Sequence, residues 1–183
     1  MKRAIALLEK HNLLKIISDE LDINLEIPHI AYVEVKKPDS KAILFTNVVD
    51  RKNSKKFKEP VLMNVFCNED AVKLFIGDGD KIGTEIESLL KLKPPVTFSE
   101  KLSTLGKLFS LKNTIPKKLN KKGECQEVIK IGSDAKLSDL PVIKTWEEDG
   151  GAFITMGQVY TQSLNGELKN LGMYRLQVFP DNT

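Results

Sequence analysis

The sequence predicts an α/β amino-terminal domain followed by a β-rich second part. Three observations carry this reading. Helical and strand-length apolar runs alternate through the first hundred residues. A lysine-rich stretch then breaks the pattern, with seven lysines and no acidic residue from Lys101 to Lys122. Beyond it the apolar residues alternate at strand spacing, between segments rich in turn residues. The division is placed at residues 1–114 and 115–183.

The elements follow in chain order. Ile5, Leu8 and Asn12, with Leu7, Leu14 and Ile17 close by, predict an amphipathic helix running into a short strand at Leu13–Ile17. Asp22 is the expected N-cap of a helix from about Ile23 to Lys36, with Leu25, Ile30 and Val33 on one side. Ala42–Val49 and Val61–Phe66 are apolar runs of strand length, and the basic stretch Arg51–Lys58 between them reads as a solvated loop. Asn68 should cap a short helix through Leu74. A further helix, Lys81–Lys93, carries Ile82, Ile86, Leu89 and Leu90, and Pro94-Pro95 would end it. Thr97 and Glu100 form a capping box for a helix to about Ser110, with Leu102, Leu105 and Phe109 inward. In the second part, strands are expected at Cys125–Ile131, Phe153–Tyr160 and Tyr174–Phe179, with a turn at Ser163–Gly166.

Bulk properties exclude several classes. The 183 residues are 41% hydrophobic and 29% charged, as in an ordinary soluble globular protein. A net charge of +3 makes no global case for nucleic acid. Cys67 and Cys125 lie far apart without CxxC spacing, and His11 and His29 have no partners at metal-ligand spacing. Glu9 and Lys10 interrupt the apolar run at the amino terminus, so neither a signal peptide nor a membrane span is expected, and the location is read as cytoplasmic. The glycines from Gly77 to Gly83 miss dinucleotide-loop spacing and read as a junction of two helices.

The residues that could carry chemistry cluster between Trp146 and Arg175. Asp149-Gly150-Gly151 reads as a tight turn into a strand; close approach of a flat cofactor or a phosphate is the alternative. Thr155 could offer a hydroxyl to a phosphate or a flavin edge, although threonine is also simply a good strand former. Asn170 supplies a neutral hard oxygen suited to Mg²⁺, Mn²⁺ or K⁺. Arg175, five residues on, offers a planar fork of donors matched to a carboxylate. By themselves these two read as a turn residue and a strand-surface residue.

Taken together, Asp149, Gly151, Ile154, Thr155, Asn170 and Arg175 resemble a motif of the UbiD family of carboxy-lyases, which use prenylated flavin mononucleotide. The stretches L-E-I-P-H-I-A-Y-V and A-I-L-F-T-N-V are similar to that family's amino-terminal domain. The resemblance implies that the second part opens a split β-barrel, flavin reductase-like, cofactor-binding domain and that the chain stops part-way through it. It implies cofactor contacts by Thr155, Asn170 and Arg175. Asn170 would share a divalent metal (Mn²⁺ or Mg²⁺, with K⁺ as a further ion) with the cofactor phosphate. Arg175 would be the catalytic residue that orients the substrate carboxylate. It further implies decarboxylation of aromatic or α,β-unsaturated acids, with quinone precursors as the preferred class. The full-length protein would be a homo-oligomer, supplied with cofactor by a flavin prenyltransferase. In that family a histidine and a glutamate ligand and two further acids lie downstream of the arginine, whereas eight residues follow Arg175 here. The segment alone is therefore expected to be inactive. The alternative is a short non-catalytic module that docks a partner through an open β edge. A third possibility is a basic interaction domain that uses the 101–122 lysines.

Overall fold

The computed structural model describes residues 1–91 and 120–180. The expected Pro94-Pro95 stop, the Thr97–Glu100 capping box with its helix, most of the lysine-rich stretch and the boundary near residue 115 lie outside these residues. The chain divides into two units, Met1–Ile76 with Ala135–Thr183, and Gly77–Asp134.

In the first unit, α1 (Lys2–Lys10) leads into β1 (Leu14–Asp22), α2 (Glu26–Val35) and β2 (Ala42–Asp50). β1 and β2 are parallel, so α2 is a crossover connection. The other edge of β2 is shared by β3 (Lys55–Lys56) and β4 (Val61–Met63), both antiparallel to it. α3 (Glu69–Ile76) follows, capped by Asn68, whose Oδ1 accepts from Ala71 N at 2.9 Å. The core gathers Ile27 from α2, Ile43, Phe45 and Val48 from β2, Phe57, Val61 and Ile143.

Several local expectations are corrected. Asp22 ends β1 rather than capping α2, because its carboxylate accepts from Asn24 N and Arg51 N instead. The helix starts at Glu26 without a side-chain cap, after Leu25 at φ 72°. Its buried face is Ile27, Ala31 and Glu34 at i, i+4, i+7; of the residues expected inward, Ile30 packs against the core, whereas Val33 is exposed and Leu25 precedes the helix. The basic loop Arg51–Lys58 is partly a paired hairpin, since β3 lies within it and Phe57 is buried.

After Ala135 the chain returns along this sheet. Lys144 forms a parallel bridge to Asn24, and Ile143 forms an antiparallel bridge to Phe153. Because Ile143 is buried in the core, this short segment fixes where the next strand begins. That strand, β5 (Ala152–Gln162), turns at Ser163–Gly166 into antiparallel β6 (Lys169–Val178). The turn closes with Gly166 N donating to Ser163 O, and Gly166 stands at φ +76°, which glycine adopts without strain.

In the second unit, α4 (Gly79–Leu90) is capped by Asp78, whose carboxylate accepts from Asp80 N and Lys81 N. The expected strand at Cys125–Ile131 is absent. Glu124–Gln126 form a single 3-10 turn, and Val128, Ile129 and Ile131 are exposed. A strand needs a pairing partner, and none among the described residues faces this run.

Candidate functional site

The site is built on the turn before β5 and on the middle of β6. Trp146 to Asp149 form a closed turn in which Asp149 N donates to Trp146 O at 3.1 Å. Asp149 Oδ2 accepts from Trp146 N, also at 3.1 Å. This fixes the carboxylate at the head of β5. Across the ribbon, Arg175 Nη2 donates to the same Oδ2 at 2.6 Å. The hydrogen bond from Arg175 is the main reason the Asp149 carboxyl is held below its ordinary range. The guanidinium carbon lies 3.8 Å from the centre of the Phe153 ring, a stacked cation–π contact. Arg175 nevertheless remains 43% exposed, against 11% for Asp149, so its remaining donors can meet a ligand.

Thr155 lies beside this cluster. The register steps from Ile154↔Leu176 to Gly157↔Tyr174, so Thr155 and Met156 together oppose Arg175 in a β-bulge. Thr155 is exposed. The structure thus brings Thr155 and Arg175 together.

Asn170 is placed elsewhere. Five residues separate it from Arg175 in a regular strand, which puts the two on opposite faces and about 17 Å apart along β6. On its own face, Asn170 Nδ2 donates to Tyr174 Oη at 3.3 Å. The Tyr174 ring reaches it by lying over Gly172, where an added Cβ would come within 2.4 Å of the ring. The Asn170 carbonyl oxygen remains available as a ligand.

The fit to the groups the motif implies can be tested on these contacts. A stacked arginine with free donors, next to an exposed hydroxyl, suits an anionic ligand with a flat ring. Part of the space beside the glycine pair is taken by Gln177, whose Nε2 would lie 3.1 Å from a Cβ at Gly150 and 3.3 Å from one at Gly151. For a metal, Asn170 fits as a single donor. No group of three His, Cys, Asp or Glu residues among the described residues could hold an ion.

Behind the Trp146 turn lies a cleft of about 390 Å³ lined by Leu25, Glu26, Pro28, His29, Tyr32 and Trp146. Tyr32 and Trp146 meet edge to face at 5.5 Å. Glu26 is held below its ordinary range, first by a hydrogen bond from Asp22 N and then by Arg51.

Sequence comparison sets this geometry in context. The 3-octaprenyl-4-hydroxybenzoate carboxy-lyase N-terminal domain matches residues 5–90, and the Rift-related domain of the same enzyme matches 117–183. The chain belongs to the UbiD family. It corresponds to that family's amino-terminal portion. An uncharacterized Helicobacter pylori protein is 45% identical over 186 residues, covering all of this chain and 30% of that protein. An Aquifex aeolicus protein is 38% identical over 174 residues, covering 93% of this chain and 34% of the relative. The chain thus spans about a third of these relatives. Among solved structures, closed-form vanillic acid decarboxylase from Sedimentibacter hydroxybenzoicus gives a TM-score of 0.67 at 20% identity, over 97% of this chain and 34% of that one. The UbiD-class enzyme HmfF from Pelotomaculum thermopropionicum, solved in complex with FMN, gives 0.59 at 22% identity, over 98% and 35%. The α/β fold of the UbiD-class amino-terminal portion is therefore the fold of this chain, and the family is one of carboxy-lyases.

Two residues that matter here were not singled out from sequence. Phe153 appeared only as part of a strand, and Asp149 only as a motif position and a turn residue. A signal existed for Asp149: an acid four residues before a strand phenylalanine, with an arginine in the next strand. Only the register could show that they meet.

Proposed function

We propose that this chain is the amino-terminal part of a prenylated-FMN-dependent, non-oxidative decarboxylase of aromatic or α,β-unsaturated acids, with quinone precursors as the preferred substrates. One observation carries the reading: two consecutive UbiD family models match the chain, and the second includes the Arg175–Asp149 cluster. An HmfF structure in complex with prenylated FMN supports the cofactor assignment. Domains at 1–114 and 115–183, a split barrel completed beyond β6, a homo-oligomeric full-length protein in the cytoplasm and supply of cofactor by a flavin prenyltransferase belong to the same proposal.

The roles follow from the donors present. Arg175 binds and orients the substrate carboxylate through the guanidinium donors that Asp149 leaves free. Thr155 offers its hydroxyl to a cofactor oxygen beside Arg175. Asn170 gives its carbonyl oxygen to a divalent metal, Mn²⁺ or Mg²⁺, with K⁺ as a further ion. Prenylated flavin, when bound, supplies the electron sink that lets CO₂ depart.

The test is CO₂ release from a panel of aromatic and unsaturated acids, with prenylated FMN and Mn²⁺ supplied. A full-length UbiD protein that contains this chain is expected to turn over, with Arg175→Ala lowering kcat/KM about 10²–10³-fold. The 183-residue chain alone is expected to release none. Turnover by the chain alone, or full activity of the Arg175 variant, would refute the assignment.

A second reading is favoured by the exposed apolar residues of the ribbon, among them Tyr160, Leu171 and Met173. On that reading the chain is a non-catalytic module whose open β edge docks a partner. A partner-free monomer that binds nothing from its own cell extract would count against it.

A further inference from the structure

Asp149 and Arg175 are fixed to different degrees. The carboxylate is set by its own turn: Oδ2 accepts from Trp146 N at 3.1 Å, and the backbone closes the same loop. The turn is in turn anchored by Ile143 in the core and by the Lys144 bridge to Asn24. Arg175 comes from a ribbon with no buried residue, and its long side chain has considerable rotamer entropy to lose on being fixed. Two contacts hold it: one guanidinium nitrogen on Asp149 Oδ2 at 2.6 Å, and the guanidinium carbon 3.8 Å from the centre of the Phe153 ring. Nη2 and the ring-facing side of the guanidinium are therefore engaged, while the side chain as a whole stays 43% exposed. Without the Asp149 contact, stacking on Phe153 alone would let the group rotate in its own plane and redirect its remaining donors.

We infer that Asp149 is a positioning residue, which holds the Arg175 guanidinium in one orientation on Phe153 so that its remaining donors are preset for a carboxylate ligand. The identity of the ligand rests on the decarboxylase reading; the positioning does not. Asp149 also neutralises Arg175, so a bound carboxylate gains from geometry more than from net charge.

The experiment is NMR of the 183-residue chain labelled with ¹⁵N at arginine. In the wild type, the two Nη groups of Arg175 are expected to give separate signals, and its Hε is expected to be shifted upfield by the Phe153 ring. Asp149→Asn keeps an oxygen for Trp146 N–H but weakens the tie to Arg175, and should merge the Nη signals while the turn amides stay in place. Asp149→Ser, which can also accept from Trp146 N–H, is the second variant should the first fail to fold. Phe153→Leu should remove the upfield shift and keep the Nη signals separate. Averaged Nη signals in the wild type, or separate signals that survive both Asp149 variants, overturn the proposal. Benzoate is then titrated as the carboxylate probe. Shifts of the Arg175 signals that are larger in the wild type than in Asp149→Asn support presetting, and equal shifts overturn it. If the variants behave as expected but benzoate moves no Arg175 signal, the ligand assignment falls, and with it the decarboxylase reading of Arg175. The Asp149–Arg175 geometry would still be established.

Discussion

β2 and β6 are strands of nine and ten residues with opposite surroundings. In β2, Ala42, Ile43, Phe45 and Val48 are fully buried. In β6 no residue is buried, although it carries Leu171, Met173, Tyr174, Leu176 and Val178. Apolar content alone does not explain the contrast. β2 has β1 on one edge and β3 and β4 on the other, with Ile27 of α2 packed into the same core. β6 has only β5 among the described strands. Burial depends on what covers a strand, and a two-stranded ribbon covers little of itself. The ribbon is instead tied down at one end, by Ile143 and by the Arg175–Asp149 pair, and the candidate site sits at that end.

The largest effect that could break this comparison is a cavity in each strand. Phe45→Ala empties a fully buried site and should cost about 3–5 kcal/mol in denaturant unfolding. Leu171→Ala, at a residue 60% exposed, should stay within about 0.5 kcal/mol. Equal costs would mean that the ribbon is covered by something the described residues do not include.

Polar contacts give a smaller version of the same contrast. Ser40 is buried and its hydroxyl donates to Cys67 O at 2.5 Å, while Asn68 Nδ2 donates to Ser40 O. Ser40→Ala leaves a buried carbonyl without its donor and should cost about 1–3 kcal/mol. In the ribbon turn, Ser163 Oγ accepts from Leu168 N at 3.0 Å in the open. Ser163→Ala there lets water replace the hydroxyl and should cost about 0.5 kcal/mol, near the low end for a hydrogen bond. Both are read from the same unfolding curves. A Ser163 cost as large as that of Ser40 would make the turn, rather than the core, the organising element.

The two regions were also unequally legible from sequence. The Ala42–Val49 run showed itself because a strand buried along most of its length is almost continuously apolar. α2 was found, and Ile30 of its expected face does pack on the core, but the buried positions were missed, because Pro28 and Glu34 are among them and a pattern of large aliphatics does not count them. Buried Glu34 is explained by Lys37 and Lys15, one near in sequence and one on β1, together with a backbone hydrogen bond from Lys41. In the second part, Phe153–Tyr160 lies within β5 and Tyr174–Val178 within β6, which begins five residues earlier than expected and ends before Phe179, whereas Cys125–Ile131, just as strand-like in composition, forms no strand. Local propensity could not say which runs would find a partner. The candidate site was legible as residue types and not as an arrangement. The bulge opposite Arg175 and the single-residue parity that separates Asn170 from it depend on register, which composition does not encode.

The smallest expected effect concerns acid. Glu34 on α2 and Asp149 at the ribbon both have carboxyls held below their ordinary range, Glu34 mainly by a hydrogen bond from Lys37 and Asp149 mainly by one from Arg175. A carboxyl whose folded value lies below its unfolded value contributes stability above the unfolded value and loses it as pH falls through the folded one. Unfolded Asp and Glu titrate near 3.9 and 4.3, so both contributions should be intact at neutral pH and fade only below about pH 4. Carboxyl ¹³C titration is expected to place both midpoints below those values. Lys37→Gln should return Glu34 toward the ordinary range and leave Asp149 unmoved, and Arg175→Gln should do the reverse. The cations are about half exposed, so added salt should weaken both shifts. An Asp149 midpoint that ignores Arg175→Gln would show that the turn alone holds the carboxylate, and the ribbon would then lack the polar tie that distinguishes its anchored end from its open one.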